Sequence, residues 1–297
     1  MTQGAVFSDL PDFDLYVGID WSGAKGNRHR GIALAACAAG DAVPCLIPPP
    51  HGQRAWSRKN VADWLLQESQ HKKVCAGIDF AFAHPFDDLD AYYPEIENAP
   101  ASPQALWQMI DEANQDKEDF YGGGLWAHAA YGPFYNAPRQ RGARFTSRRR
   151  QTETRAAKIK SPSPTFNCVG PAGVGTGSLA GMRVLHHLKD HAAIWPFDAP
   201  QNASLVLTEI FPSYYFVMAG LKPIKGAHGE AAFLNAGLAY FASKPVADSY
   251  QATGPDADLS DAMISAAALR YFSRDQSYWQ LEQAAVREGW IIGVKPD

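Results

Sequence analysis

Gly18-Ile19-Asp20-Trp21-Ser22-Gly23-Ala24-Lys25 closes an alternating apolar run that begins at Leu15, and the same ending recurs at Ala76-Gly77-Ile78-Asp79-Phe80. A strand that ends on a carboxylate and turns at once into small residues places that acid at the edge of a sheet. Side chains alternate along a strand, so Gly18 shares a face with Asp20, and Gly77 with Asp79. Each acid therefore has an empty place beside it. If the two strands are parallel neighbours, about 4.8 Å apart, their acids meet at the carboxyl ends of the strands, where open α/β sheets bind ligands. Two close carboxylates repel unless one is protonated or a cation lies between them. A lone Asp in such a place is as readily a turn former or a helix cap; the repeat is what favours a shared site.

Around these endings the chain reads as strands at Gly31 to Cys37 and Ala42 to Ile47, broken by Pro48-Pro49-Pro50. Ser57 can cap a helix in which Val61, Trp64, Leu65 and Glu68 recur at helical spacing. That helix returns the chain to the Val74 to Phe80 strand. The order β-β-β-α-β, with a helix as the crossover before a parallel strand, follows.

From Ala83 to Asn202 the sheet-like patterning stops, and prolines, glycines and aromatics take over. This stretch reads as an insertion at about 83–202, with one helix from Pro103 to about Asp116 and loops around Tyr121-Gly122-Gly123-Gly124. Between Arg139 and Lys160 stand nine Lys or Arg against one acid, Glu153, a net +8 that leaves −12 for the remainder. Arg148, Arg149 and Arg150 form its densest part. Such a run is either a solvated, mobile face without a partner or a clamp on a phosphate backbone. Gly170, Gly173, Gly175 and Gly177 precede an amphipathic stretch carrying Leu179, Met182, Leu185 and Leu188. A glycine-rich loop before a helix can cradle an anion, although a tight turn explains the glycines equally well. His187 and His191 are spaced to ligate a metal or to lie exposed on one helix.

The sheet resumes at Ser204 to Phe211, where Glu209 interrupts an apolar run. An acid there is costly unless paired or metal-bound. Helices are expected over Ser213 to Ala219, Glu230 to Phe241 and Asp256 to Phe272, the last carrying Asp258 and Asp261 on one face. Either Asp258 caps this helix with Asp261 at its third position, or Asp261 delivers an acid to the strand ends beside Gly18 and Gly77. Gly289 to Val294 reads as a last short strand.

The 297 residues, 46% of them apolar, suffice for a sizeable core and exclude disordered or collagen-like classes. A net charge of −4 carries no overall nucleic-acid signature. Cys37, Cys45, Cys75 and Cys168 form no CxxC pair and read as reduced residues. The stretch Met1 to Asp14 has neither the basic residue nor the apolar run of a signal peptide, and no run approaches transmembrane length. A cytoplasmic protein away from membranes is the expectation, with its oligomeric state open.

Taken together, GIDWSGAK, GIDFAFAHP, VGTGSLAGM, TEIFPS, DLSDAMISAAAL and EGWIIG resemble, in that order, a bacterial family of predicted RNase H-fold nucleases within the RNase H-like superfamily. The resemblance spans most of the chain. It implies a single α/β domain over 1–297, with an RNase H-like mixed five-stranded sheet (β-β-β-α-β-α-β-α) flanked by helices and the insertion between the fourth and fifth strands. It also implies that Asp20, Asp79, Glu209 and Asp261 are catalytic acids that hold Mg²⁺ or Mn²⁺, with Asp258 a further ligand, for phosphodiester hydrolysis of a nucleic acid. Lys25, with Arg148, Arg149 and Arg150, is the expected phosphate-binding set. The first crossover helix offers Asp63 and Glu68 but no clear match to the helix glutamate of RNase H proper. Two alternatives stand beside this reading: ATP-dependent phosphotransfer of the actin-like or sugar-kinase type, and a non-catalytic binding module.

Overall fold

Leu15–Asp20 forms β1, the strand on which the rest of the sheet is assembled. The computed structural model describes residues 12–170, 173–222, 229–252, 258–281 and 284–296. β2 (Ala33–Ala38) runs antiparallel to β1, and β3 (Cys45–Ile47) antiparallel to β2. Ser57 then caps α1 (Arg58–Ser69), its hydroxyl accepting from the Asn60 N–H, and the chain crosses over to β4 (Val74–Ile78), parallel to β1. The register pairs Gly18 with Gly77 and Ile19 with Ile78, so the two strands end level.

The next stretch holds α2 (Pro103–Glu112), the two-residue strands β5 (Asn136–Ala137) and β6 (Gln140–Arg141), α3 (Gln151–Ala156), α4 (Val174–Leu188) and β7 (Ala193–Ile194). After it come β8 (Leu205–Glu209), α5 (Pro212–Met218), α6 (Ala231–Tyr240), α7 (Asp258–Phe272) and α8 (Ala285–Glu288). The main sheet has six strands in the order β3-β2-β1-β4-β8-β7, with β4, β8 and β7 parallel.

Three expectations change. The sheet has six strands rather than five, because β7 pairs with β8 through Ala193 and Ile194, a contact too short to show any periodicity. Gly289 to Val294 is not a strand; Ile291 makes one bridge to Glu209 and the chain then turns. The stretch read as an insertion at about 83–202 supplies a strand of the sheet, β7, although sheet-like patterning stops there in the sequence. Asp256 and the first eleven residues lie outside the described residues.

Each face of the sheet carries its own core. On one, Ile19, Ile78, Leu205 and Leu207 pack with Val61 and Leu65 of α1 and with Leu179, Met182 and Leu185 of α4. On the other, Tyr16, Cys75, Val206 and Ile210 pack with Ala262, Ala266 and Leu269 of α7, and with Leu234 of α6. The alternating strand side chains divide between these layers, as period two requires. No described helix is long and apolar enough to cross a membrane. The four cysteines are free; Cys45 alone is exposed.

Candidate active site

Asp20 ends β1 and Asp79 follows β4 directly, with the Asp79 N–H donating to the Ile19 carbonyl at 3.0 Å, so the ladder carries both acids to the same sheet edge. The third element of the site arrives because Gly18 has no side chain. A Cβ there would stand 2.2 Å from the Ala262 carbonyl oxygen and 2.6 Å from the Ala266 nitrogen. α7 therefore lies with its backbone directly against β1, which brings Asp258 and Asp261 of its first turn to Asp20. The space read beside Asp20 is real, and a helix backbone fills it.

The electrostatics follow from this crowding. Burial, together with the charges of Asp261, Asp79 and Asp258, holds the Asp20 carboxyl well above the usual carboxylate range. Burial and then Glu209 push Asp79 up to about 7. Both acids are only half-buried by surface area, so they sit at a mouth that solvent or an ion can reach. Asp261, Asp79 and Asp258 all act on Asp20, although among the described residues no group of three or more His, Cys, Asp or Glu is arranged to hold a metal ion.

Glu209 is placed differently. It pairs in register with Ile78, not with Asp79, and so emerges on the face that carries Leu205 and Leu207. There Arg150 meets it in a two-pronged pair: Nη1 donates to Oε2 at 2.7 Å and Nη2 donates to Oε1, while the Phe82 N–H donates to Oε2 at 3.1 Å. Arg150 Nε donates to Glu153 Oε1 at 2.7 Å, and its Nη1 donates also to the Glu288 carbonyl. Arg150, Glu153 and Glu209 are all at least 98% buried. Burial opposes the Arg150 charge, yet Glu209 and Glu153 more than compensate and raise its pKa.

The densest part of the basic run, Arg148 to Arg150, is not an exposed clamp. Arg148 is buried and donates to both Asp88 oxygens and to the carbonyls of Pro85, Ala91 and Tyr92. Arg149 is half-buried, with Nη1 on the Pro162 carbonyl. The run's central arginines, Arg148 to Arg150, find internal acceptors, while Arg139, Arg141 and Arg144 around the β5–β6 hairpin stay exposed. Of the expected phosphate-binding residues, only Lys25 is exposed.

The turn after β1 is held by a residue whose role the sequence did not reveal. Arg58, fully buried at the start of α1, donates from Nε to the Ser22 carbonyl at 2.9 Å and from Nη2 to the Ala24 carbonyl at 2.6 Å. Nη1 donates to the Asp119 carbonyl at 2.8 Å. Burial lowers Arg58 to about 10, with Asp119 opposing. The same turn packs on α4: a Cβ on Gly23 would lie 2.3 Å from the Gly177 nitrogen. Gly175 and Gly177 belong to α4 itself and do not form a phosphate-cradling loop. Asp63 and Glu68 pair with Lys59 and Lys72 on the outside of α1, away from the acids. His191 lies beyond the end of α4, so it and His187 do not share that helix.

Beside Asp79 a cavity of about 450 Å³ opens at the strand ends. Trp21, Phe80 and Phe211 line it with Asp79, Glu209 and Arg150, and Pro162, Cys168, Gly173 and Thr176 of the insertion line it too. No family model matches the chain, and neither does a curated protein or a solved structure.

Proposed function

We propose that the chain is a divalent-cation-dependent nuclease on an RNase H-like sheet, hydrolysing phosphodiester bonds at the Asp20 cluster. One observation carries the reading: aspartates from β1, the end of β4 and the first turn of α7 converge on Asp20 at the strand ends, where burial and then the charges of Asp261, Asp79 and Asp258 hold its carboxyl well above the usual carboxylate range. Mutual repulsion of this kind is stabilising only when something positive shares it. The oxygens of Asp20, Asp79, Asp258 and Asp261 are hard donors suited to Mg²⁺ or Mn²⁺. The mixed sheet, with a meander followed by parallel strands and helices on both faces, is compatible with the RNase H-like arrangement.

Held by the oxygens of Asp20, Asp79, Asp258 and Asp261, such ions would supply activation of water and charge stabilisation of the leaving oxygen. The chain's own groups do the rest. β1 and β4 set the spacing of Asp20 and Asp79, while Gly18 lets α7 approach with the other two acids. Arg58 fixes the turn that carries the exposed Lys25 beside the site, where its ammonium meets a phosphate. Glu209, with both oxygens occupied by Arg150 and the Phe82 N–H, acts as a neutralised wall of the cavity rather than a ligand.

Calorimetric titration with Mn²⁺ and a cleavage assay on labelled DNA and RNA test this reading. Wild-type protein binds Mn²⁺ and cleaves only with it; Asp20→Asn folds and does neither. If wild type neither binds Mn²⁺ nor cleaves, the reading fails; if Asp20→Asn unfolds, the cluster is structural.

A further inference from the structure

The segment from Trp21 to Asn60 carries six basic residues, Lys25, Arg28, Arg30, Arg54, Arg58 and Lys59, against a single acid, Asp41. Three of these charges are already committed. Lys59 pairs with Asp63, Arg58 is buried under the β1 turn, and Asp41 pairs with Lys244. Lys25, Arg28, Arg30 and Arg54 remain exposed, with no carboxylate partner among the described residues.

The fold brings the loops of Arg28, Arg30 and Arg54 together. His29 and Trp56 form an antiparallel bridge, with the His29 N–H donating to the Trp56 carbonyl at 2.8 Å. That bridge ties the loop of Arg28 and Arg30 to the loop of Arg54. His29 itself is spent on Asp119, whose carboxylate also accepts from the N–H groups of Arg58 and Lys59. Between the two loops and β3 runs a groove of about 550 Å³, with Arg30 and Arg54 on its rim and Leu46, Ile47, Pro48 and Pro49 on its floor. The groove leads to the acids, because Leu259, next to Asp258, also lines it. A Gly31 Cβ would stand 3.6 Å from Asp258 Oδ2 and 3.7 Å from Ser22 Cβ.

We infer that this groove is the docking surface for a single-stranded nucleic acid, with phosphates on Arg28, Arg30 and Arg54 and bases over the Leu46 to Pro49 floor. The proposal rests on the nuclease reading for its direction, and it moves the polyanion contact away from residues 139–160, whose central arginines face inward. A groove with a cationic rim suits a tracking phosphate backbone, and its apolar Leu46 to Pro49 surface offers contact area for unpaired bases.

Binding of a labelled 20-nucleotide single strand, measured by anisotropy in EDTA between 50 and 200 mM salt, tests it. Each phosphate neutralised on a single strand contributes a slope of about 0.7 in log affinity against log salt. The triple substitution Arg28→Ala, Arg30→Ala, Arg54→Ala is expected to lower the slope by about 2. The corresponding triple Lys variant keeps the slope and controls for folding. Arg141→Ala with Arg144→Ala, both exposed on the other segment, changes it by less.

An unchanged slope in the triple Ala variant, a larger effect from the Arg141 and Arg144 pair, or tighter binding of duplex than of single strand overturns the groove. In any of those cases Mn²⁺-dependent cleavage by wild type would leave the nuclease reading standing. A reduced slope with no cleavage by wild type supports the groove and removes the nuclease.

Discussion

Replacing Arg150 with Met removes the guanidinium that lies between two buried carboxylates. Glu209 receives two guanidinium hydrogen bonds and Glu153 one, and all three side chains are shielded from water. Met fills much of the same volume, so the change isolates charge from packing. Breaking one side of a buried ion pair costs about 3–5 kcal/mol, and here two acids lose their partner at once, so the upper end applies. With a urea m-value of about 2–3 kcal/mol/M, the unfolding midpoint falls by about 1.7–2.5 M. Salt leaves the defect unchanged, because a buried pair is poorly screened. Acid shrinks it, because protonated carboxyls need no counter-charge. Adding Glu209→Gln and Glu153→Gln to Arg150→Met recovers much of the loss. A single mutant within about 0.5 kcal/mol of wild type, a typical surface-substitution effect, refutes the buried network, as does a triple mutant no more stable than the single.

Asp20→Asn relieves repulsion in the cation-free protein, so its melting temperature in EDTA stays level or rises by about 2–4 °C, the shift expected per kcal/mol; a clear fall by scanning fluorimetry contradicts the crowded cluster. Asp79, with a folded pKa of about 7, holds a proton that the unfolded chain releases near the ordinary value of about 4. Its contribution is full below that lower value and is lost as pH rises toward 7. Urea midpoints in EDTA should therefore fall between pH 5 and pH 8 more in wild type than in Asp79→Asn, and Mn²⁺ affinity should rise with pH and level off above about 7; equal pH dependence in the two proteins would exclude this assignment. Gly18→Ala forces a methyl against the α7 backbone at a cost of about 1–3 kcal/mol and displaces Asp258 and Asp261, so Mn²⁺ binding weakens beyond what the outward-facing Asp63→Ala produces. A Gly18→Ala protein that melts and binds like wild type would mean α7 is not so close.

The Gly-Ile-Asp endings were readable because a strand is short-range: alternation and a turn fix where each acid emerges, and equal phase makes parallel pairing bring them level. Ser57 was readable as a helix start for the same local reason, and its hydroxyl accepts from the third amide beyond it. Long-range partners were not. Glu209 stands out in its strand as an acid in need of a partner, yet nothing near it names Arg150, 59 residues away. Arg148 and Arg150 look like surface charge because nine basic residues in one run leave no local trace of which turn inward. Arg58 appears as an ordinary first-turn residue until the Ser22 and Ala24 carbonyls are placed over it. β7 escaped because two residues carry no period.

The reach of the stretch between β4 and β8 into the centre of the molecule limits how a shorter relative can arise. Deleting it would expose the apolar face that Leu179, Met182 and Leu185 cover and would strip Glu209 of Arg150 in the same step. Neither loss is repaired by a tighter loop. A trimmed descendant must first exchange Glu209 for an apolar residue and recruit another amphipathic helix onto Ile19 and Ile78. Length and the identity of residue 209 are therefore expected to change together, and a compact version that keeps the glutamate must carry an arginine brought to it from elsewhere.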